Sequence, residues 1–262
     1  RREFGYRAER DPATPALSGK TKKKLLREMT GACGEYVSGA YLEALRAKLA
    51  SGGADSTWRL LPDDTDPDRA TLFFEYPKAL SAGDYGGGYV RPAVRIEFGV
   101  RAEHQGAVTA TVTPYAAEEF AARFHDSGVR VVVQTAERTF WEKATALHEK
   151  AFRGFRGKVD RFSRHYSDVA AMAGSWVKAA AIADPDLLRA VARHKEVFFP
   201  VGGTPYATAR PGTLRLRPRE EDLAAVRADY ARMREMFFEE PPSFETVMET
   251  LSALEAESNA AG

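Results

Sequence analysis

The sequence predicts an α+β fold: a mixed β-sheet core with flanking helices, followed by a helical C-terminal domain. Three observations carry this prediction. Residues 90–100 alternate, with Val94, Ile96 and Phe98 on one side and Arg95, Glu97 and Gly99 on the other, the period-two pattern of a half-buried strand. Residues 20–50, and the chain after Glu137, instead repeat apolar positions every three or four residues, as amphipathic helices do. Clusters of Gly, Pro and Asp punctuate the strand-like runs, and two of those runs are spaced to form a hairpin.

Taken in order, residues 1–18 hold Gly5, Pro12 and Pro15 with little periodicity and read as a loop. From Lys20 to Ala50 the positions Leu25, Leu26, Met29, Cys33, Tyr36, Val37, Leu42, Leu45 and Leu49 mark one long helix. Gly31, Gly34 and Gly39 weaken it and are places for a bend or a close approach. Ser51-Gly52-Gly53 ends it. Thr57–Leu61 and Thr71–Tyr76 flank the acidic turn Asp63–Asp68 as a hairpin. Val108–Val112 and Val129–Val133 are short strands, with a helix at Tyr115–Arg123 between them.

Two helices follow. The first, over 138–152, places Phe140, Ala144, Leu147 and Ala151 on one face, with Glu142 and Lys143 off its centre. The second has an apolar row at Val169, Met172, Ala173 and Trp176, which leaves Arg164, His165 and Asp168 within one turn of each other. Packing the two stripes together places Lys143 and Asp168 near a common edge. Asp184–Arg193, Arg219–Glu235 and Ser243–Glu257 are further helices, with N-cap residues at Asp184 and Ser243. Residues 198–218, interrupted by Pro and Gly, form an extended connector. The organisation is therefore an α/β core over 1–134 and a helical domain over 135–262 that completes a cleft.

Composition bounds the function without naming it. Lys+Arg 38 against Asp+Glu 37 leaves a net charge of +1, so affinity for a polyanion must come from local basic runs. Two such runs exist, Lys20–Lys24 and Arg153–Arg164, and the second interleaves Phe with Arg and Gly as single-stranded RNA contacts do. A solvated linker gives the same pattern. The single cysteine, Cys33, excludes an internal disulfide, fits a reducing cytoplasmic compartment and sits in an apolar helical row as a buried thiol. No apolar run approaches the ~20 residues of a membrane span.

Several motif matches fail on context. Ser18-Gly19-Lys20-Thr21 imitates the end of a phosphate-binding loop, but Thr14 stands where the first glycine is needed. Asp64-x-Asp66 and Asp66-x-Asp68 have metal-ligand spacing inside a hairpin turn, where acidic residues are ordinary. His104, His125, His148, His165 and His194 show no zinc spacing with Cys33. On pattern alone, Lys143 is a surface lysine, Asp168 a partner for Arg164, and Glu97 an exposed partner for Arg95 on the same sheet face.

The words RTFWEKATALHEKA (138–151) and SRHYSDVAAMA (163–173) change that weighting, because they resemble the third and fourth motifs of the AbiEii/AbiGii family of nucleotidyltransferase toxins. Residues 198–257 resemble the C-terminal half of one branch of that family, so the similarity covers most of 19–257. The resemblance implies a nucleotidyltransferase-like core and a toxin of a toxin–antitoxin, abortive-infection or phage-defence system. Such a toxin transfers NMP from an NTP, with Mg2+, to an RNA (tRNA) or protein acceptor and has a cognate antitoxin as partner. It implies Lys143 and Asp168 as catalytic residues. In the implied nucleotide-binding set Lys143 meets the phosphates, Glu142 positions it, and Arg138 or Arg164 supplies bidentate phosphate contacts. Glu97, in the word VRIEFG, is implied as a metal ligand. In that family a Gly-Gly-Ser/Thr turn and an Asp-x-Asp strand precede a segment like Arg2-Glu3-Phe4, so the chain is expected to start after them. Gly202-Gly203-Thr204 matches that first motif in letters only. The alternatives are a non-catalytic remnant that binds RNA or antitoxin, and a small-molecule nucleotidyltransferase.

Overall fold

The computed structural model describes residues 5–7, 10–81, 88–103, 106–124, 128–202 and 206–260. Arg2-Glu3-Phe4, Gly203-Thr204, His104 and His125 lie outside the described residues. The class is α+β, and among the described residues the strands form two small antiparallel sheets. The chain forms two compact units. One comprises Arg1–Ala102, His194–Val201 and Tyr230–Pro241, the other Glu103–Arg193, Gly202–Asp229 and Pro242–Gly262.

The first unit is built on the long helix, which runs as α1 (Gly19–Tyr36), a π-helical segment (Val37–Tyr41) and α2 (Leu42–Ser51). Ser18 caps α1, its hydroxyl accepting from Thr21 N, so the motif that imitates a phosphate loop is a helix start. The π segment surrounds Gly39, one of the three glycines expected to disturb the helix. Gly34 has a different reason: a Cβ there would lie 2.2 Å from the carbonyl oxygen of Asp68, so only glycine lets the acidic turn rest on α1. Gly52 and Gly53, the latter at φ 86°, end α2.

β1 (Arg59–Pro62), β2 (Thr71–Glu75) and β3 (Val94–Glu97) make the three-stranded sheet, in register Leu60↔Phe74 and Leu72↔Ile96. Leu60 and Leu72 bury against Leu25, Met29, Cys33 and Val37 of the helix, which forms this unit's core. Burial raises the Cys33 thiol pKa, consistent with an inert structural cysteine.

The acidic hairpin turn is held by its own carboxylates. Asp66 accepts from Asp68 N (3.0 Å), Ala70 N (3.0 Å) and Thr71 Oγ1 (2.7 Å), while Asp63 accepts from Thr65 N and Oγ1. This turn leaves Arg69 in the left-handed region at φ 53°. Burial would raise the Asp66 pKa, but those three donors outweigh it and lower it. With the folded pKa depressed, this contribution to stability is present above the ordinary carboxylate range and is lost as pH falls through the folded value. Asp66→Ala is expected to cost about 2–3 kcal/mol at neutral pH, with the loss shrinking in acid. Urea unfolding at two pH values checks this, and an Asp66→Ala variant as stable as the parent at neutral pH would contradict it.

In the second unit, β4 (Ala107–Val112) and β5 (Val129–Gln134) pair as a ribbon, with α3 (Tyr115–Glu119) between them. The helices are α4 (Ala136–Arg153), α5 (Ser163–Ala173), α6 (Trp176–Ile182), α8 (Leu223–Arg232, mostly in this unit) and α9 (Phe244–Ala260). α7 (Pro185–Phe198) contributes residues to both units. α4 packs on α5 and α6, and α5 on α9. Asp184 and Ser243 cap their helices as expected, accepting from Leu187 N and Thr246 N. The connector is extended but not loose. Leu214 and Leu216 are buried, and the backbone N–H groups at 214, 215 and 216 donate to Asn259 Oδ1, His148 Nδ1 and Glu255 Oε2. Among the described residues no helix is long and apolar enough to cross a membrane.

One expectation is corrected. Trp176 does not continue the apolar row of the second helix. That helix ends at Gly174, Ser175 caps α6 through Val177 N, and Trp176 is 66 % exposed. The row buried on α5 is Ser163, Tyr166, Ser167 and Val169. A serine face can be buried because Ser163 Oγ donates to Val226 O at 2.8 Å.

Candidate functional site

The candidate residues of the second unit are set by α4. Its stripe Phe140, Ala144, Leu147 and Ala151 is buried as the spacing predicts, and Trp141 Nε1 donates to Ala181 O at 3.1 Å, which fixes the helix against α6. Glu137 in the first turn and Lys150 and Arg153 in the last suit the helix dipole. Gly154, at φ 65°, stops it, and Arg219 fills the space where a Cβ would stand. With that face buried, Lys143 is carried to the α5 side.

There it meets Asp168. Lys143 Nζ lies 2.7 Å from Asp168 Oδ2, the short separation of a charge-assisted hydrogen bond between two helices. The lysine side chain is 26 % exposed and the aspartate 45 %. Asp168 therefore takes Lys143 as its partner rather than Arg164 one turn back, and Arg164 is exposed. An ammonium has three donors, so two remain for another ligand.

The neighbouring candidates serve a different cluster. Arg138 Nε donates to Glu142 Oε1 at 3.1 Å, and Gln134 Nε2 donates to the same oxygen at 2.8 Å. Arg138 is 1 % exposed, and its buried Nη2 has no hydrogen-bond partner among the described residues. A guanidinium so enclosed fixes Glu142 beside Lys143. A phosphate would reach it only if the β5–α4 junction opened. Gln134 was not among the residues that the sequence pointed to, and no local pattern marks a strand-end glutamine whose partner lies eight residues on.

Glu97 belongs to the first unit. It is paired across the sheet with Thr71, and its carboxylate lies 3.1 Å from the Arg95 guanidinium, on the side away from Leu72 and Ile96. Its side chain is 61 % exposed. Among the described residues, no three of His, Cys, Asp and Glu come together so as to hold a metal ion. Mg2+ demands near-octahedral oxygen ligation, which one carboxylate beside a guanidinium does not supply. The described residues do not make a complete metal site.

The basic segment after α4 is tied down. Arg161 N and Ser163 N donate to the buried carboxylate of Asp229 at 2.9 and 2.8 Å, which anchors the start of α5. Lys150 Nζ sits over the rings of Phe155 and Phe162, at 5.4 and 5.7 Å from their centroids. Arg156 and Lys158 remain exposed on this held loop. His165, near the candidate pair in sequence, has its ring edge-on to Phe162.

Compared with known protein families, the chain matches a family model described as nucleotidyl transferase AbiEii toxin, type IV TA system, over residues 25–250. Comparison with curated proteins and with solved structures finds no match.

Proposed function

The chain belongs to the AbiEii family of nucleotidyl transferase toxins of type IV toxin–antitoxin systems, and on that premise we propose that it moves NMP from an NTP onto a hydroxyl of an RNA, with tRNA as the favoured acceptor. It does so in the cytoplasm, as the toxin of a phage-defence pair with a cognate antitoxin.

The observation that supports this reading is the Lys143–Asp168 contact at 2.7 Å between α4 and α5. In the transfer, the acceptor hydroxyl oxygen forms a bond to the α-phosphorus, the bond from that phosphorus to the bridging oxygen breaks, and pyrophosphate leaves. Charge grows on the phosphate oxygens, and a positioned ammonium stabilises it. Lys143 is assigned that role, with Asp168 holding it and serving as acceptor for the hydroxyl proton. Glu142, held by Arg138 and Gln134, sets the orientation of this first part of α4. Arg164, exposed on α5, is assigned to an outer phosphate oxygen. Glu97 is proposed as one carboxylate of a divalent-metal site, the general requirement of nucleotidyl transfer.

The experiment is incubation of the protein with each of four α-labelled NTPs and total RNA. Label in the tRNA fraction is the expected result. Label in a small-molecule fraction would replace the acceptor, and RNA binding without label in any fraction would favour the non-catalytic reading.

A further inference from the structure

The first unit contains a cavity of about 620 Å³ that the proposed chemistry does not use. Four cations line it: Lys23 and Arg27 on α1, Arg69 at the end of the acidic turn, and Arg101. None of the four forms an ion pair among the described residues, although Glu35 and Asp68 also line the wall. Four like charges around one cavity repel each other, an arrangement that is relieved when an anion sits among them.

The surrounding structure keeps them there. Lys23 and Arg27 are one helical turn apart, and the next position in that row is Gly31, where a Cβ would meet nothing within 4 Å. The helix thus leaves its floor open beside two cations. Arg69 is held in a left-handed conformation by the turn that Asp66 organises, and that turn rests on α1 through Gly34. Arg101 is fixed from two sides: His194 Nε2 donates to its carbonyl oxygen at 2.7 Å, and its guanidinium lies over the Phe199 ring, 5.4 Å from the centroid.

We propose that this cavity binds a ligand carrying at least two neighbouring phosphate groups. Guanidinium forks and a lysine match phosphate oxygens. The volume exceeds the need of a single phosphate and falls within the range of small-ligand pockets, roughly 300–1,000 Å³. The Phe199 face is already covered by Arg101 and by Lys195 Nζ at 4.6 Å, so recognition is of phosphate and not of a stacked base. Its lining residues all belong to the first unit, while Lys143 and Asp168 belong to the second, and the proposal does not depend on nucleotidyl transfer.

Fluorescence anisotropy with a labelled single-stranded RNA of about ten nucleotides, and isothermal titration with inorganic pyrophosphate, test it on the full chain. Three variants are compared: Lys23→Glu with Arg27→Glu, Gly31→Leu, and Lys48→Glu as a single charge reversal at the exposed end of α2. The double charge reversal is expected to weaken affinity at least about tenfold and to flatten the salt dependence by about one contact or more. Gly31→Leu should weaken it comparably by filling the cavity, with thermal midpoint retained or raised because a helical glycine is removed. Lys48→Glu should leave affinity unchanged. Binding of pyrophosphate identifies a free polyphosphate ligand, and binding of RNA alone identifies adjacent phosphodiesters. The proposal is overturned if neither probe binds, or if both cavity variants bind as Lys48→Glu does.

Discussion

Lys143→Ala is expected to lower nucleotide transfer by about 10²–10³-fold while the protein stays folded. The ammonium is held at 2.7 Å by Asp168, so its position is set before any phosphate arrives, and two of its three donors remain available. Its side chain is only 26 % exposed, so it is not a freely solvated lysine, and removing it breaks one partly exposed ion pair. The stability cost of that pair is at most about 1 kcal/mol. Lys143→Arg restores charge but not a compact head, and should recover only part of the rate. Asp168→Ala should also slow transfer, and the double variant should be little worse than the poorer single, because the two residues act as one unit. Initial rates with labelled NTP, set beside thermal midpoints, decide the matter. Parent-like transfer by Lys143→Ala would remove this lysine from the chemistry.

What could be read in advance follows the range of the interactions. The stripe Phe140, Ala144, Leu147 and Ala151 and the hairpin around Asp63–Asp68 depend on residues close in sequence, and both stand in the structure as read. So do the caps at Asp184 and Ser243. The meeting of Lys143 and Asp168 was legible because each lies beside an apolar stripe and the stripes must pack. Trp176 was misread because helical periodicity runs through Gly174-Ser175 unbroken in letters, while the serine caps a new helix and turns the indole outward. The depth of Arg138 was not legible either. A guanidinium enters an interior only where distant backbone and Glu142 enclose it, and no spacing rule announces that. The same holds for the four cations around the first-unit cavity, which come from three separate parts of the chain: α1 for Lys23 and Arg27, the end of the acidic turn for Arg69, and Arg101.

Asp229→Ala is expected to destabilise the protein by about 3 kcal/mol and, through that, to disturb the candidate site. Asp229 is fully buried, and its two carboxylate oxygens accept from Arg161 N and Ser163 N, one oxygen to each. Ser163 is the first residue of α5, where helix N–H groups lack intrahelical partners and an anion is favoured. The carboxylate thus caps α5 from 66 residues away, and it also holds Arg161 in its left-handed conformation at φ 53°. Truncation leaves two N–H groups without their acceptor inside the fold. Asp229→Asn keeps one acceptor oxygen but turns an NH₂ toward the other N–H, so it should cost less than alanine and more than nothing. Asp168 lies five residues into the same helix. A frayed α5 start would loosen its grip on Lys143, lowering kcat with little change in the KM for NTP, since the phosphate-facing donors remain. Chemical unfolding and steady-state kinetics of the two variants test both parts. An Asp229→Ala protein with an unaltered unfolding midpoint would show that α5 is held by its apolar contacts alone.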